Sequence, residues 1–205
     1  MRFDPRALPA RDVYRLLISV VVPRPIALVS TIGTGGGFNV APFSYFNAIS
    51  SDPPLVGIAI NDRADDPKDT LTNIRTTGDF VVNVVSEPLL APMVQSAGEW
   101  PAEVSEFGVS GLTPRDSVRV KSPAVAESPV QMECVLHREI PLGNSFLVVG
   151  EVVLMHVSDD VMVEGRVDPE RLAAIGRLGG EYYSLMREVV KVPRPRVERT
   201  QGPAA

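Results

Sequence analysis

The chain is poor in the residues that build covalent or metal-centred chemistry. Cys134 is the only cysteine of 205 residues, so no internal disulfide is possible and a reducing, cytoplasmic setting is expected. Apolar neighbours and the lack of a basic partner nearby mark Cys134 as an inert core thiol. His137 and His156 are the only histidines, and neither sits in a Cys/His or His/carboxylate spacing of the metal type. No apolar run is long enough for a membrane span. The opening MRFDPRALPARD has no apolar h-region, so no secretory signal is expected. Basic residues are outnumbered, 20 Lys and Arg against 25 Asp and Glu, which argues against a broad nucleic-acid surface. Nucleophile elbow, P-loop and internal repeat are all missing.

What is present suits one β-rich domain over residues 1–188. Hydrophobic residues make up 44% of the chain, and the 19 prolines punctuate apolar segments. Beyond Val189 the sequence VKVPRPRVERTQGPAA is proline-rich and charged, and is expected to be a flexible tail over residues 189–205.

The central stretch, 24–60, reads as three strands. Ile26–Ile32 is an apolar run that fits a buried strand. Gly33, Gly35, Gly36 and Gly37 supply a hairpin. Phe38–Phe46 follows, with Pro42 placing it at an edge or bulge. Asp52-Pro53-Pro54 stops the chain before Leu55–Ile60. GTGGG at 33–37 is not a dinucleotide fingerprint, because strand rather than helix follows it. Polar groups interrupt this sheet at Ser30, Thr31, Asn39, Ser44, Asn47 and Ser50. Buried, they must either bond to nearby backbone or line a pocket for a flat, hydrogen-bonding ligand. Arg24, ahead of the first strand, reads either as solvated or as facing a ligand phosphate.

Around this core, Val13, Leu16, Leu17 and Val20 give Ala10–Val20 one apolar helical face. Asp66-Pro67-Lys68-Asp69 reads as a helix start with Asp66 as N-cap and Pro67 at N1, and Gly78 as its C′ stop. A helix N-terminus with Lys68 and Thr70 is chemically suited to an anion, although a capped helix with a solvated lysine fits the same pattern. Phe80–Val85 is a strand. Leu89, Leu90, Met93, Val94 and Ala97 have helical spacing, against which Pro92 argues. Residues 98–123 form an irregular connection, either a lid or a packed loop. Val130–Ile140 and Phe146–Val157 are long strands joined by a hairpin at Gly143-Asn144. Glu151 reads as paired with an arginine or as facing solvent. Asp168-Pro169 opens another helix, and Arg177-Leu178-Gly179-Gly180 leads into a last strand.

RPIALVST, the glycine turn, NVAPFSYFNAIS and DPP resemble the flavin reductase-like proteins of the FMN-binding split-barrel fold. KDTLTNI, GDFVVNVV and RLGGEYY extend the resemblance over about 13–185, in the family's order. It implies a mainly β, FMN-binding split barrel with a few peripheral helices. It also implies a homodimer with flavin near the subunit interface, and reduction of flavin by NAD(P)H, with a partner monooxygenase as one candidate recipient of the reduced flavin. The pocket residues become Ser30, Thr31, Asn39, Ala41, Ser44 and Asn47 for the ring, with Lys68 and Thr70 for the phosphate. A cofactor explains how an enzyme without its own reactive side chains works. An FMN-binding electron carrier of the flavoredoxin kind is the alternative. A weaker one is a barrel that holds haem through His137 or His156.

Overall fold

The computed structural model describes residues 1–61, 68–98, 100 and 104–195. Seven strands make the main antiparallel sheet: β1 (Ala27–Ile32), β2 (Phe38–Phe43), β3 (Phe46–Ser51), β4 (Pro54–Asn61), β5 (Asp79–Val84), β6 (Val130–Leu142) and β7 (Ser145–Val157). Their spatial order is β2-β1-β5-β6-β7-β4-β3. β2 and β3 are therefore consecutive in the chain yet sit on opposite edges. Laid flat, those edges would be about 29 Å apart at the usual strand spacing. The link from Phe43 to Phe46 spans at most about 11 Å. Only a sheet rolled into a barrel satisfies both. Ser44-Tyr45 crosses the seam between those edges, and the Tyr45 carbonyl accepts from Ala59 N–H of β4 at 2.8 Å. The single strand expected over 38–46 is thus two strands, broken at Ser44-Tyr45. Pro42 lies on the edge strand, where a missing N–H costs no ladder bond.

Side-chain alternation along β1 builds two cores. Ala27 and Val29 face the barrel interior with Ile58, Ile60, Phe80, Val82, Cys134 and Val148. Ile26 and Leu28 face outward into a second cluster with Val40, Leu89, Met93, Phe107 and Ile175. Both faces being covered explains the uninterrupted apolar run. Gly150 lets β7 approach Phe80, for a Cβ there would lie 2.3 Å from Phe80 Cζ.

Among the described residues five α-helices decorate the barrel: α1 (Ala10–Val20), α2 (Asp69–Thr77), α3 (Leu90–Ser96), α4 (Glu106–Ser110) and the one-turn α5 (Pro169–Leu172). α2 starts at Asp69 with Lys68 at its N-cap, two residues later than the Asp66-Pro67 pattern suggests; those two residues lie outside the described ones. It inserts Leu71 and Ile74 into the barrel core and stops at Gly78, which has φ 75°. α3 forms in spite of Pro92, because that proline falls in the first turn, where no intrahelical N–H bond is lost. The connection after α3 contains α4 and a short strand pair, Pro114–Arg115 with Ala124–Val125.

Two buried carboxylates anchor that connection. Asp79 accepts from Lys121 N–H, Ser122 N–H and Ser122 Oγ. Glu133 accepts from Val118 N–H at 2.9 Å and Arg119 N–H at 2.5 Å, and faces His156 Nε2 at 2.6 Å. His137 Nδ1 lies 3.8 Å from Glu151 Oε2, so Glu151 faces a histidine at the surface rather than an interior arginine. Burial pushes the Cys134 thiol up to about 12, which matches an inert core residue. No helix among the described residues is long and apolar enough to cross a membrane.

Candidate functional site

An open cleft of about 1140 Å³ lies against the seam of the barrel. One wall is α1, which contributes Arg11, Tyr14, Arg15, Ile18 and Ser19. Their spacing of three and four residues puts them on one helical face. The second wall is the loop Arg177-Leu178-Gly179-Gly180 with Tyr182. That loop is brought in by pairing of the short strands Arg24–Pro25 and Gly176–Arg177. The floor is the seam itself: Pro42, Phe43 and Ser44, with Ile26 and Met93 beside them. Lys68 closes one side, its Nζ 5.8 Å from the centre of the Phe43 ring. Arg177 stacks on the Tyr183 ring and donates to Tyr183 Oη and to the Gly180 carbonyl.

A smaller groove of about 500 Å³ backs onto the same seam. Leu17, Val21, Tyr45, Phe46, Ile49 and Leu147 give it an apolar lining, and Asn47 lies there too. Arg24 and Ser44 belong to both spaces. The Tyr45 hydroxyl has a raised pKa, through burial first and nearby Tyr14 second, with Arg24 opposing.

The sequence-derived candidates separate into two groups. Ser44 and Lys68 line the large cleft, and Asn47 lines the smaller groove. The others lie within the protein and are satisfied there. Asn39 Nδ2 donates to Thr70 Oγ1 at 2.9 Å and to Thr31 Oγ1 at 3.4 Å. Asn73 Nδ2 donates to Thr31 Oγ1 at 3.0 Å. This network ties α2 to β1 and β2, and so holds Lys68 in place. Ser30 Oγ donates to the Pro123 carbonyl at 2.5 Å and accepts from Asn83 Nδ2 at 3.0 Å, anchoring the end of the long connection. Ala41 packs against the barrel core. Asp69, in the first turn of α2, is near enough to Glu106 to help raise its pKa, an effect led by burial.

Arg24 is not solvated. It is only 6% exposed and bonds to carbonyls of α1 and of the Leu178 loop. The α1 residues of the cleft lie opposite the apolar face that marks the helix in the sequence, so that face does not disclose them. The stripe at 11, 14/15 and 18 was the available signal. The Leu178 loop had a recognisable pattern, but nothing local tied it to a site.

The donor set fits a flavin nucleotide. Such a ligand combines a flat, largely apolar ring, a hydrogen-bonding edge and an anionic phosphate. The cleft offers an apolar floor at Ile26, Pro42, Phe43 and Met93, hydroxyls at Ser19 and Ser44, and cations at Lys68 and Arg177. Among the described residues no cluster of His, Cys, Asp or Glu has the makings of a metal site.

Known proteins agree with this architecture. Nitrilotriacetate monooxygenase component B from Bacillus cereus is 35% identical, superimposes with a TM-score of 0.90 and aligns with 94% of this chain and 98% of its own. The 2-nitrobenzoate 2-nitroreductase NbaA of Pseudomonas fluorescens is 32% identical with a TM-score of 0.88, over 98% and 100% of the two chains. A protein with a split-barrel domain from Shewanella frigidimarina NCIMB 400 shares the fold at 24% identity and a TM-score of 0.83, over 95% and 100%. The model of the flavin reductase like domain matches residues 19–169, so the chain belongs to the flavin reductase-like family.

Proposed function

We propose that this protein is an NAD(P)H-dependent flavin reductase that binds FMN in the large cleft. The observation that carries the reading is the juxtaposition of an apolar seam, Ile26 to Phe43, with the cations Lys68 and Arg177 in one open space. FMN, when bound, supplies the redox chemistry by taking a hydride from the reduced nicotinamide. Phe43, Pro42 and Met93 would shield the ring from water, and Ser44 would serve its polar edge. Lys68, at the N-cap of α2, would hold the phosphate by a charge-assisted contact that the helix end reinforces. Thr31, Asn39 and Thr70 support the same end of α2, while Ser30 fixes the connection behind it. The cleft volume of about 1140 Å³ supports the reading that a nicotinamide would meet the flavin there.

A homodimer belongs to the proposal. α1 has no buried residue, and two residues of its apolar side are exposed: Leu17 is 49% exposed and Val20 70%. Together with Val21, Tyr45 and Ile49 they form an apolar surface of the kind that marks subunit contact. The Bacillus cereus neighbour is a component of a monooxygenase, which supports supply of reduced flavin to such a partner. The test is a titration of flavin fluorescence followed by nicotinamide oxidation. Quenching by FMN at tens of micromolar or below, with FMN-stimulated loss of NADH or NADPH absorbance, is expected. Absence of quenching by FMN and FAD alike would refute flavin binding. Binding without nicotinamide oxidation would leave an electron carrier.

A further inference from the structure

Arg24 makes four hydrogen bonds from a buried position. Nη1 donates to the Ile18 carbonyl at 2.8 Å and to the Val21 carbonyl at 2.7 Å. Nη2 donates to the Leu178 carbonyl at 2.9 Å, and Nε to Ser44 Oγ at 3.3 Å. The Tyr45 ring centre is 5.9 Å from its Cζ. These acceptors belong to the end of α1, to a loop 154 residues away, and to the seam of the barrel. The Ile18 carbonyl in the last turn of α1 and the Val21 carbonyl at its C-cap lie at a helix C-terminus, where carbonyls lack intrahelical donors and a positive charge is favoured. Four of the five N–H donors of the guanidinium are engaged, which leaves little to offer a phosphate.

We propose that Arg24 is the positioning residue of the cleft: it fixes the separation between α1 and the Leu178 loop, and through it the fit of the flavin, without binding the phosphate. The inference rests on the flavin reading above. Both walls come from segments with sparse cover of their own. α1 buries no residue, and Gly179 approaches α1 closely enough that a Cβ would meet Ser19 Oγ at 3.1 Å. One planar, multidentate side chain therefore sets a gap that neither wall sets alone. Lysine keeps the charge but has no rigid fork, so it is not an equivalent replacement.

The test compares Arg24→Lys with the unmodified protein in two ways. In hydrogen exchange without flavin, residues 15–22 and 176–182 of the variant should exchange faster while β5, β6 and β7 stay unchanged. In titrations, FMN and riboflavin should weaken by the same factor, tenfold or more, because the slot rather than the phosphate contact is altered. The visible circular dichroism of bound flavin at saturation should also change. Arg24→Gln gives the same readings if the lysine variant does not accumulate as folded protein. Loss of FMN affinity at least tenfold greater than that of riboflavin would make Arg24 a phosphate ligand and overturn the proposal. So would affinities within twofold of the unmodified protein, or faster exchange throughout the barrel. If the unmodified protein binds no flavin, the flavin reading fails, and the exchange arm still decides whether Arg24 holds the two walls.

Discussion

Asn39 donates its side-chain amide to the Thr70 hydroxyl at 2.9 Å, joining β2 to the first turn of α2. Thr70 is 2% exposed, so this bond lies inside the protein, behind the cleft that Lys68 faces. The pair ties the placement of Lys68 to barrel packing, through the first turn of α2.

Asn39→Ala should accordingly behave as a loss of support. It removes the donor to both Thr31 and Thr70, and unmade buried hydrogen bonds cost about 1–3 kcal/mol. Chemical denaturation should show a loss of that order. FMN and riboflavin should weaken by similar factors in a fluorescence titration.

Lys68→Ala should separate the two ligands. A charge-assisted hydrogen bond contributes about 1.5–3 kcal/mol, so FMN should weaken roughly tenfold to a hundredfold. Riboflavin, which lacks the phosphate, should change little. Equal losses for both would remove Lys68 from the phosphate site.

Acid should act through Glu133. Burial works to raise its pKa, but the N–H groups of Val118 and Arg119 and the His156 side chain outweigh it and hold the carboxyl below its usual value. A carboxyl depressed in the folded state stabilises the protein above its unfolded pKa, near 4.3 for glutamate. That contribution is lost as the pH falls from there through the folded value. Thermal midpoints measured from pH 6 to pH 3 should therefore fall less steeply for Glu133→Gln than for the unmodified protein. At pH 7 the variant should be the less stable of the two.

Gly150→Ala tests the close approach of β7 to the barrel core. The added methyl would lie 2.3 Å from Phe80 Cζ and 3.2 Å from Cys134 Cβ. Overpacking of this kind costs about 1–3 kcal/mol. A midpoint of denaturation unchanged from the parent would mean that Phe80 moves aside freely.

Ile49→Lys should disturb assembly without disturbing the core. Ile49 is half exposed and lines the apolar groove at the seam. Light scattering should give twice the chain mass for the parent and a shift toward the single-chain mass for the variant. A parent of single-chain mass with flavin bound would refute the dimer.

Elements set by near neighbours in the chain are legible in the sequence itself. α1 followed from apolar spacing, β1 from its apolar run, the end of α2 from Gly78, and the hairpin between β6 and β7 from Gly143-Asn144. Their hydrogen bonds close over a few residues, or their faces repeat with a fixed period. The split-barrel likeness was carried by ordered motifs over most of the chain, and the matched family agrees with it. Tertiary structure alone decided the rest. It broke 38–46 into two strands on opposite edges, because the barrel must close through Ser44-Tyr45. It joined Thr31, Asn39, Thr70 and Asn73 to one another, and buried Arg24 between α1 and the Leu178 loop. A polar side chain carries no mark of its partner when that partner lies 31 or 154 residues away. Its role is fixed only when packing of the apolar faces brings the two segments together, since a buried polar group must then bond to whatever stands beside it.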